Sequence, residues 1–190
     1  MNCELKRKAF HLLSLAYPIA YLFLERRTFL IFLSIILALI AALEFMRLRF
    51  PHINKKLVGL LGNIHRSQEM TCASGIFWTA LGTLVTVILF TNKAVVLCTL
   101  GYLIFSDTAS ALAGTWYGRH KYLNKSLEGS AAFLGTSLAI GLFFFSPAIA
   151  LAGAMFSTLV ESLPLPFNDN FWIPPLSACF LSIITGNFIC

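Results

Sequence analysis

The chain is a succession of long apolar runs with only short polar connections between them. A bilayer's hydrocarbon core is about 30 Å thick and takes roughly 20 helical residues to cross. Backbone N–H and C=O groups find no water there, so each crossing run has to be a helix that satisfies itself. Seven spans are predicted on this basis: Ala9–Leu24, Thr28–Leu43, Ala73–Thr91, Lys93–Thr115, Gly129–Phe145, Pro147–Leu163 and Phe171–Phe188. Several are shorter than the ideal crossing length, so their ends carry some latitude. The expected fold class is all-α, a polytopic transmembrane bundle forming one catalytic domain over 1–190. Composition agrees: 58% of residues are hydrophobic and 12% charged, against about 25% charged in an ordinary soluble domain. A basic stretch before the first span imitates a signal peptide, but the bulky Tyr21-Leu22-Phe23-Leu24 offers no small-residue cleavage site, and a retained span is expected.

The net charge of +6 would point to nucleic acid in a soluble protein. Here the cations flank the apolar runs, and orientation explains them better. With seven spans, one face receives Lys6, Arg7, Lys8, Arg47, Arg49, Lys55, Lys56, Arg66, Arg119, Lys121 and Lys125, while the other receives only Arg26, Arg27 and Lys93. The positive-inside rule then places the N-terminus and the first face in the cytoplasm. Five cysteines without a C-x-x-C pair read as small buried hydrophobes and not as a redox or zinc site, and the four histidines show no metal-ligand spacing either.

Acidic residues are scarce, and their positions carry the functional argument. Asp107 falls inside the fourth span. An ionised Asp at the centre of a membrane helix costs roughly 2.5–3.5 kcal/mol on insertion scales, so such a residue usually faces the bundle interior and is functional. Ala109, Ser110, Ala111, Ala113 and Gly114 follow it, a small-residue stripe that lets helices or a ligand approach closely. Glu161 ends the sixth span, and the stiff turn Pro164-Leu165-Pro166-Phe167 leads into Asn168-Asp169-Asn170. The loop from Gly118 to Ser130 offers Arg119, Lys125 and Ser126 for phosphate and Glu128 beside them. At the N-terminus, Glu4, Arg7, Lys8 and His11 share one helical face. All these groups collect at one membrane interface. Carboxylates there can hold Mg²⁺, which keeps some of its waters and bridges phosphates. Cations neutralise the rest of a nucleotide, and a lipid head group arrives at the same depth. That layout suits phosphoryl transfer from a soluble donor to a membrane-dissolved acceptor, driven mainly by positioning and charge neutralisation. Neither G-x-x-x-x-G-K-[ST] nor G-x-G-x-x-G is present.

Four stretches, Glu4-x-x-Arg7-Lys8-x-x-His11, Ser106-Asp107-Thr108-Ala109-Ser110 with Gly118-Arg119, Lys125-Ser126-Leu127-Glu128-Gly129-Ser130, and Glu161-Ser162 with Asn168-Asp169-Asn170, resemble the membrane-embedded lipid-alcohol kinases. These include dolichol, phytol and farnesol kinases and the CTP-dependent diacylglycerol kinases of yeast type. The resemblance implies CTP as phosphoryl donor, a divalent cation such as Mg²⁺, and a nucleotide and metal site containing Asp107, Lys125, Glu128 and Asp169. The resulting assignment has Asp107, Glu161 and Asp169 on the metal. Arg7, Lys8, Arg119, Lys125, Ser126, Asn168 and Asn170 contact nucleotide or phosphate. Asp107, Glu128 and His11 are the candidate bases. The expected partners are a lipid alcohol, a nucleoside triphosphate and the bilayer, with no nucleic acid. The expected location is a bacterial inner membrane, with the site on its cytoplasmic face. The second and third stretches also resemble phosphatidate cytidylyltransferases, whose longer C-terminal signature is absent. A small transporter is the other alternative, opposed by the gathering of acids near one face.

Overall fold

The computed structural model of this chain describes residues 13–50, 52, 73–122 and 125–186. Among them seven helical rods follow in order: α1 (Leu13–Phe23), α2 (Arg26–Arg49), α3 (Gly75–Leu89), α4 (Lys93–Trp116), α5 (Leu127–Phe144), α6 (Pro147–Ser162) and α7 (Asp169–Ile184). The fold is an all-α membrane bundle. Three rods, α2, α4 and α5, are long and apolar enough to cross a membrane by themselves, and the others are shorter. A two-stranded hairpin, β1 (Lys121–Tyr122) with β2 (Lys125–Ser126), interrupts the helices, pairing Lys121 with Ser126 and Tyr122 with Lys125.

Local chemistry explains most boundaries. Ser74, Asn92, Ser126 and Asn168 each place a side-chain oxygen on the free N–H groups of a helix start, and Pro147 occupies the first turn of α6. Such caps satisfy donors that the helix cannot. Several boundaries differ from expectation by a few residues, two of them for a plain local reason. Helix α2 runs on from Leu43 to Arg49, because Glu44 and Arg47 pair one turn apart at 2.6 Å. Glu44 also accepts from the backbone N of Ser74 at 3.3 Å, tying the end of α2 to the start of α3. Helix α5 starts two residues before the expected Gly129, because Ser126 caps it.

Burial separates the rods. The most apolar window of α4 is 72% buried and that of α2 only 11%, so α4 is the central helix and α2 faces lipid. Helix α4 carries a π-helical turn at Tyr102–Ser106, immediately before Asp107. Helix α7 contains Pro174 and Pro175. They remove the donors for the carbonyls of Asn170 and Phe171, four residues earlier. Those two carbonyls face Gly82 of α3, where an added Cβ would lie 2.9 and 2.8 Å from them. The missing side chain lets α3 close against the part of α7 that prolines have stripped of hydrogen bonds.

Two of the three cations expected on the opposite face, Arg26 and Lys93, close helix ends. Arg26 donates from Nε to Val87 O (3.0 Å) and from Nη2 to Ile88 O (2.9 Å), closing the C-terminus of α3. Lys93 Nζ donates to Leu22 O (2.8 Å), closing α1. Basic side chains at helix C-termini satisfy the last carbonyls.

Candidate active site

The C-terminal half of α4, the start of α5, the end of α6 and the start of α7 meet at one end of the bundle. Glu161, in the last turn of α6, is only 1% exposed. Its Oε1 accepts from Lys125 Nζ at 2.8 Å and from Ser110 Oγ of α4 at 3.2 Å. Lys125, on β2, also donates to Asp169 Oδ2 at 2.6 Å, at the first position of α7. One ammonium thus joins two carboxylates from different helices, and a third helix contributes a hydroxyl. Glu161 Oε2 is buried with no donor directed at it. Burial alone would lower the pKa of Lys125, but the negative charges of Asp169 and then Glu161 more than reverse this and hold it well above the ordinary lysine value. Lys125 is therefore a permanent cation at physiological pH.

The neighbouring sequence builds this cluster. Ser126 accepts from Gly129 N at 3.1 Å and starts α5 directly after Lys125. A Cβ on Gly129 would sit 3.0 Å from Ser110 O and 3.2 Å from Ser110 Oγ. Side-chain-free approach at Gly129 is what carries Ser110 to Glu161, so the small-residue stripe of α4 serves helix contact. Asp107 lies one turn before Ser110, on the same helical face, and is 8% exposed. Opposite Lys125 in the hairpin, Tyr122 Oη bonds Ser130 Oγ (2.5 Å) and Ser162 Oγ (2.8 Å), pinning the hairpin to α5 and to the residue after Glu161.

Sequence reasoning did not assign Ser110, Tyr122, Ser130 or Ser162 a role, nor foresee the π turn. Ser110, Ser130 and Ser162 stood inside stretches already singled out; Tyr122 carried no signal. Of the expected site residues, Asp107, Lys125, Ser126, Glu161 and Asp169 collect at this end. Glu128 meets His120 instead, through Nδ1 at 2.8 Å and the backbone N at 3.3 Å, and Arg119 is exposed on the same loop. Asn168 caps α7 through Asn170 N (3.0 Å), and Asn170 Nδ2 reaches Gly75 O of α3 (3.4 Å). Arg7, Lys8 and His11 lie outside the described residues.

Known proteins bear on this arrangement. Uncharacterized protein RP860 of Rickettsia prowazekii is 33% identical over 95% of this chain and 94% of its own length. CTP-dependent diacylglycerol kinase 1 of Saccharomyces cerevisiae is 30% identical, covering 97% of this chain and 74% of that protein. The enzyme of the same name from Eremothecium gossypii is 31% identical over 75% of this chain and 54% of its own length. This chain belongs to the CTP-dependent diacylglycerol kinase family. No family model matches it, and no solved structure does.

In this member of the diacylglycerol kinase family, no group of three or more His, Cys, Asp and Glu side chains gathers as a metal site among the described residues. The donor chemistry nevertheless suits Mg²⁺ delivered on a triphosphate, which needs only one or two protein carboxylates because phosphate and water fill the other positions. Glu161, with its unpartnered Oε2, and Asp169, about a third exposed, are hard oxygen donors on either side of Lys125.

Proposed function

We propose that this chain is a CTP-dependent lipid kinase, transferring the γ-phosphoryl group of CTP to the hydroxyl of a membrane lipid. Diacylglycerol is the favoured acceptor, because two of the relatives are named for it; a long isoprenoid alcohol is the other candidate. The observation that carries this reading is the Lys125–Glu161–Asp169 cluster at one end of a membrane bundle. Phosphoryl transfer asks little covalent chemistry of a protein. It needs charge neutralisation on the phosphate oxygens and an aligned nucleophile. Lys125 supplies a fixed positive charge for the triphosphate. Glu161 and Asp169 are the carboxylates that would hold Mg²⁺, which would supply further charge neutralisation on the phosphate oxygens. Asp107, buried one turn from Ser110, takes the hydroxyl proton as the lipid oxygen bonds phosphorus and CDP departs. Glu128 fits that role less well, because its carboxylate is engaged by His120. In a bacterial inner membrane, the distribution of basic loops supports a site on the cytoplasmic face.

The test is product analysis with purified protein in lipid nanodiscs. Labelled CTP or ATP is supplied with diacylglycerol, a polyprenol or phytol. The kinase reading expects CDP and a lipid phosphate, formed only when the lipid alcohol is present. Pyrophosphate with a CDP-lipid would instead identify a cytidylyltransferase. Full lipid-phosphate formation by Asp107→Asn would remove Asp107 from the chemistry.

A further inference from the structure

The turn entering α7 holds an aromatic arrangement that the phosphoryl chemistry does not use. Phe167 stacks on Trp78 of α3, with ring centroids 4.9 Å apart and planes 26° from parallel. Trp78 is braced edge-on by Phe77 and Phe171, and Trp172 Nε1 donates to Pro166 O at 2.6 Å, fixing the loop beside it. Phe167 nonetheless remains 70% exposed. Its backbone is left-handed, at φ 69°, and among the described residues no other non-glycine residue has a positive φ. For a bulky side chain that is an outlier, and strain of this kind gathers at binding sites. The loop therefore bears two costs at one position, a strained backbone and an aromatic face left uncovered.

Position supplies an occupant. Phe167 is two residues from Asp169, so their Cα atoms are at most about 7 Å apart. Asp169 is bonded to Lys125, the cation assigned to the triphosphate. The ribose and phosphate arm of a nucleotide covers that separation with slack. We propose that the outer face of Phe167, backed by Trp78, is the stacking platform for the nucleobase of the triphosphate whose phosphates Lys125 meets. This rests on the kinase reading. Every base has a π face, so stacking adds affinity without choosing among bases. Phe167 thus raises the affinity for CTP and leaves the choice between CTP and ATP to other contacts. An aromatic at the end of a membrane helix can also lie among lipid head groups, and the experiment separates the two roles.

Phe167→Leu keeps an apolar side chain and loses the ring, whereas Phe167→Trp keeps a stacking surface. In nanodiscs, Phe167→Leu should raise the KM for CTP about 5- to 150-fold, the span that one base–aromatic stack covers. Its KM for the lipid and its inhibition by inorganic tripolyphosphate, which has no base, should stay at parental values. Phe167→Trp should keep the parental KM for CTP, and its added tryptophan emission should be quenched by CTP but not by tripolyphosphate. A rise confined to the KM for lipid assigns Phe167 to the bilayer and overturns the proposal. So does an unchanged KM for CTP in Phe167→Leu, or emission of Phe167→Trp that CTP leaves unquenched. A parent protein that turns over no CTP defeats the kinase reading itself, but the quenching experiment still decides whether a nucleotide stacks there.

Discussion

Replacing Lys125 by Met removes the cation that bridges Glu161 and Asp169. At 2.8 and 2.6 Å, each contact is a gross attraction of about 6 kcal/mol at an effective dielectric of ~20. Most of that is offset by the cost of bringing the charges out of water. Removing one partner of a fully buried pair typically costs about 3–5 kcal/mol, because a charge is left uncompensated. Glu161 meets that condition at 1% side-chain exposure, but Lys125 and Asp169 are 25% and 33% exposed. Solvent screening of those two reduces the expected loss to about 2–3 kcal/mol. Glu161→Gln alone should cost about 1 kcal/mol, because the amide oxygen still accepts from Lys125 and Ser110 while the amide nitrogen lies unpaired where Oε2 was. In Lys125→Met/Glu161→Gln the stranded buried charge is gone, so the double variant should be more stable than Lys125→Met. Apparent melting temperatures followed by tryptophan fluorescence in nanodiscs should rank parent, Glu161→Gln, double variant, then Lys125→Met. Both variants lacking Lys125 should lose kinase activity, so stability and catalysis separate. A double variant less stable than Lys125→Met would refute the argument, because the lysine would then not be offsetting a buried carboxylate.

Three further outcomes follow from single contacts. The stability difference between parent and Lys125→Met should stay constant from about pH 6 to 9. A group whose pKa is raised on folding contributes fully below its unfolded value and loses that contribution only as pH climbs through the folded one; a difference that vanishes by pH 9 contradicts the assignment. Ser126→Ala deletes the cap of α5 and should cost about 1 kcal/mol, measured by thermal unfolding. Gly82→Ala drives a Cβ into the carbonyls of Asn170 and Phe171, which are backbone and cannot step aside. Overpacking of this kind should cost about 1–3 kcal/mol, and unaltered unfolding would show that α3 and α7 are not in close contact there.

How much of this could be read in the chain depended on whether the signal was local. Each of the seven expected spans overlaps one of the helical rods, and the ends moved where short-range chemistry intervened, at the Glu44–Arg47 pair and the Ser126 cap. Scarcity made Asp107, Glu161 and Asp169 stand out, because an acid in an apolar chain needs a reason. Lys125 and Ser126 stood out through their neighbours. Glu128 had the same local credentials as Lys125, yet it meets His120 eight residues away across the loop. Asn168 and Asn170, expected to meet nucleotide or phosphate, also hold the start of α7 in place.

The sequence alone established that this is a helical membrane protein and singled out its scarce charged groups as candidates for the site. Both follow from the cost of unpaired backbone and unpaired charge in lipid, which any stretch of chain incurs wherever it is packed. Tertiary structure decided which of those groups touch. Lys125 and Glu161 are 36 residues apart, Lys125 and Asp169 are 44 apart, and Ser110 and Glu161 are 51 apart. Whether they meet depends on helix rotation and on how closely backbones approach at Gly129 and Gly82. Those are set by the fit of opposing surfaces, a property of pairs of helices that no single segment carries.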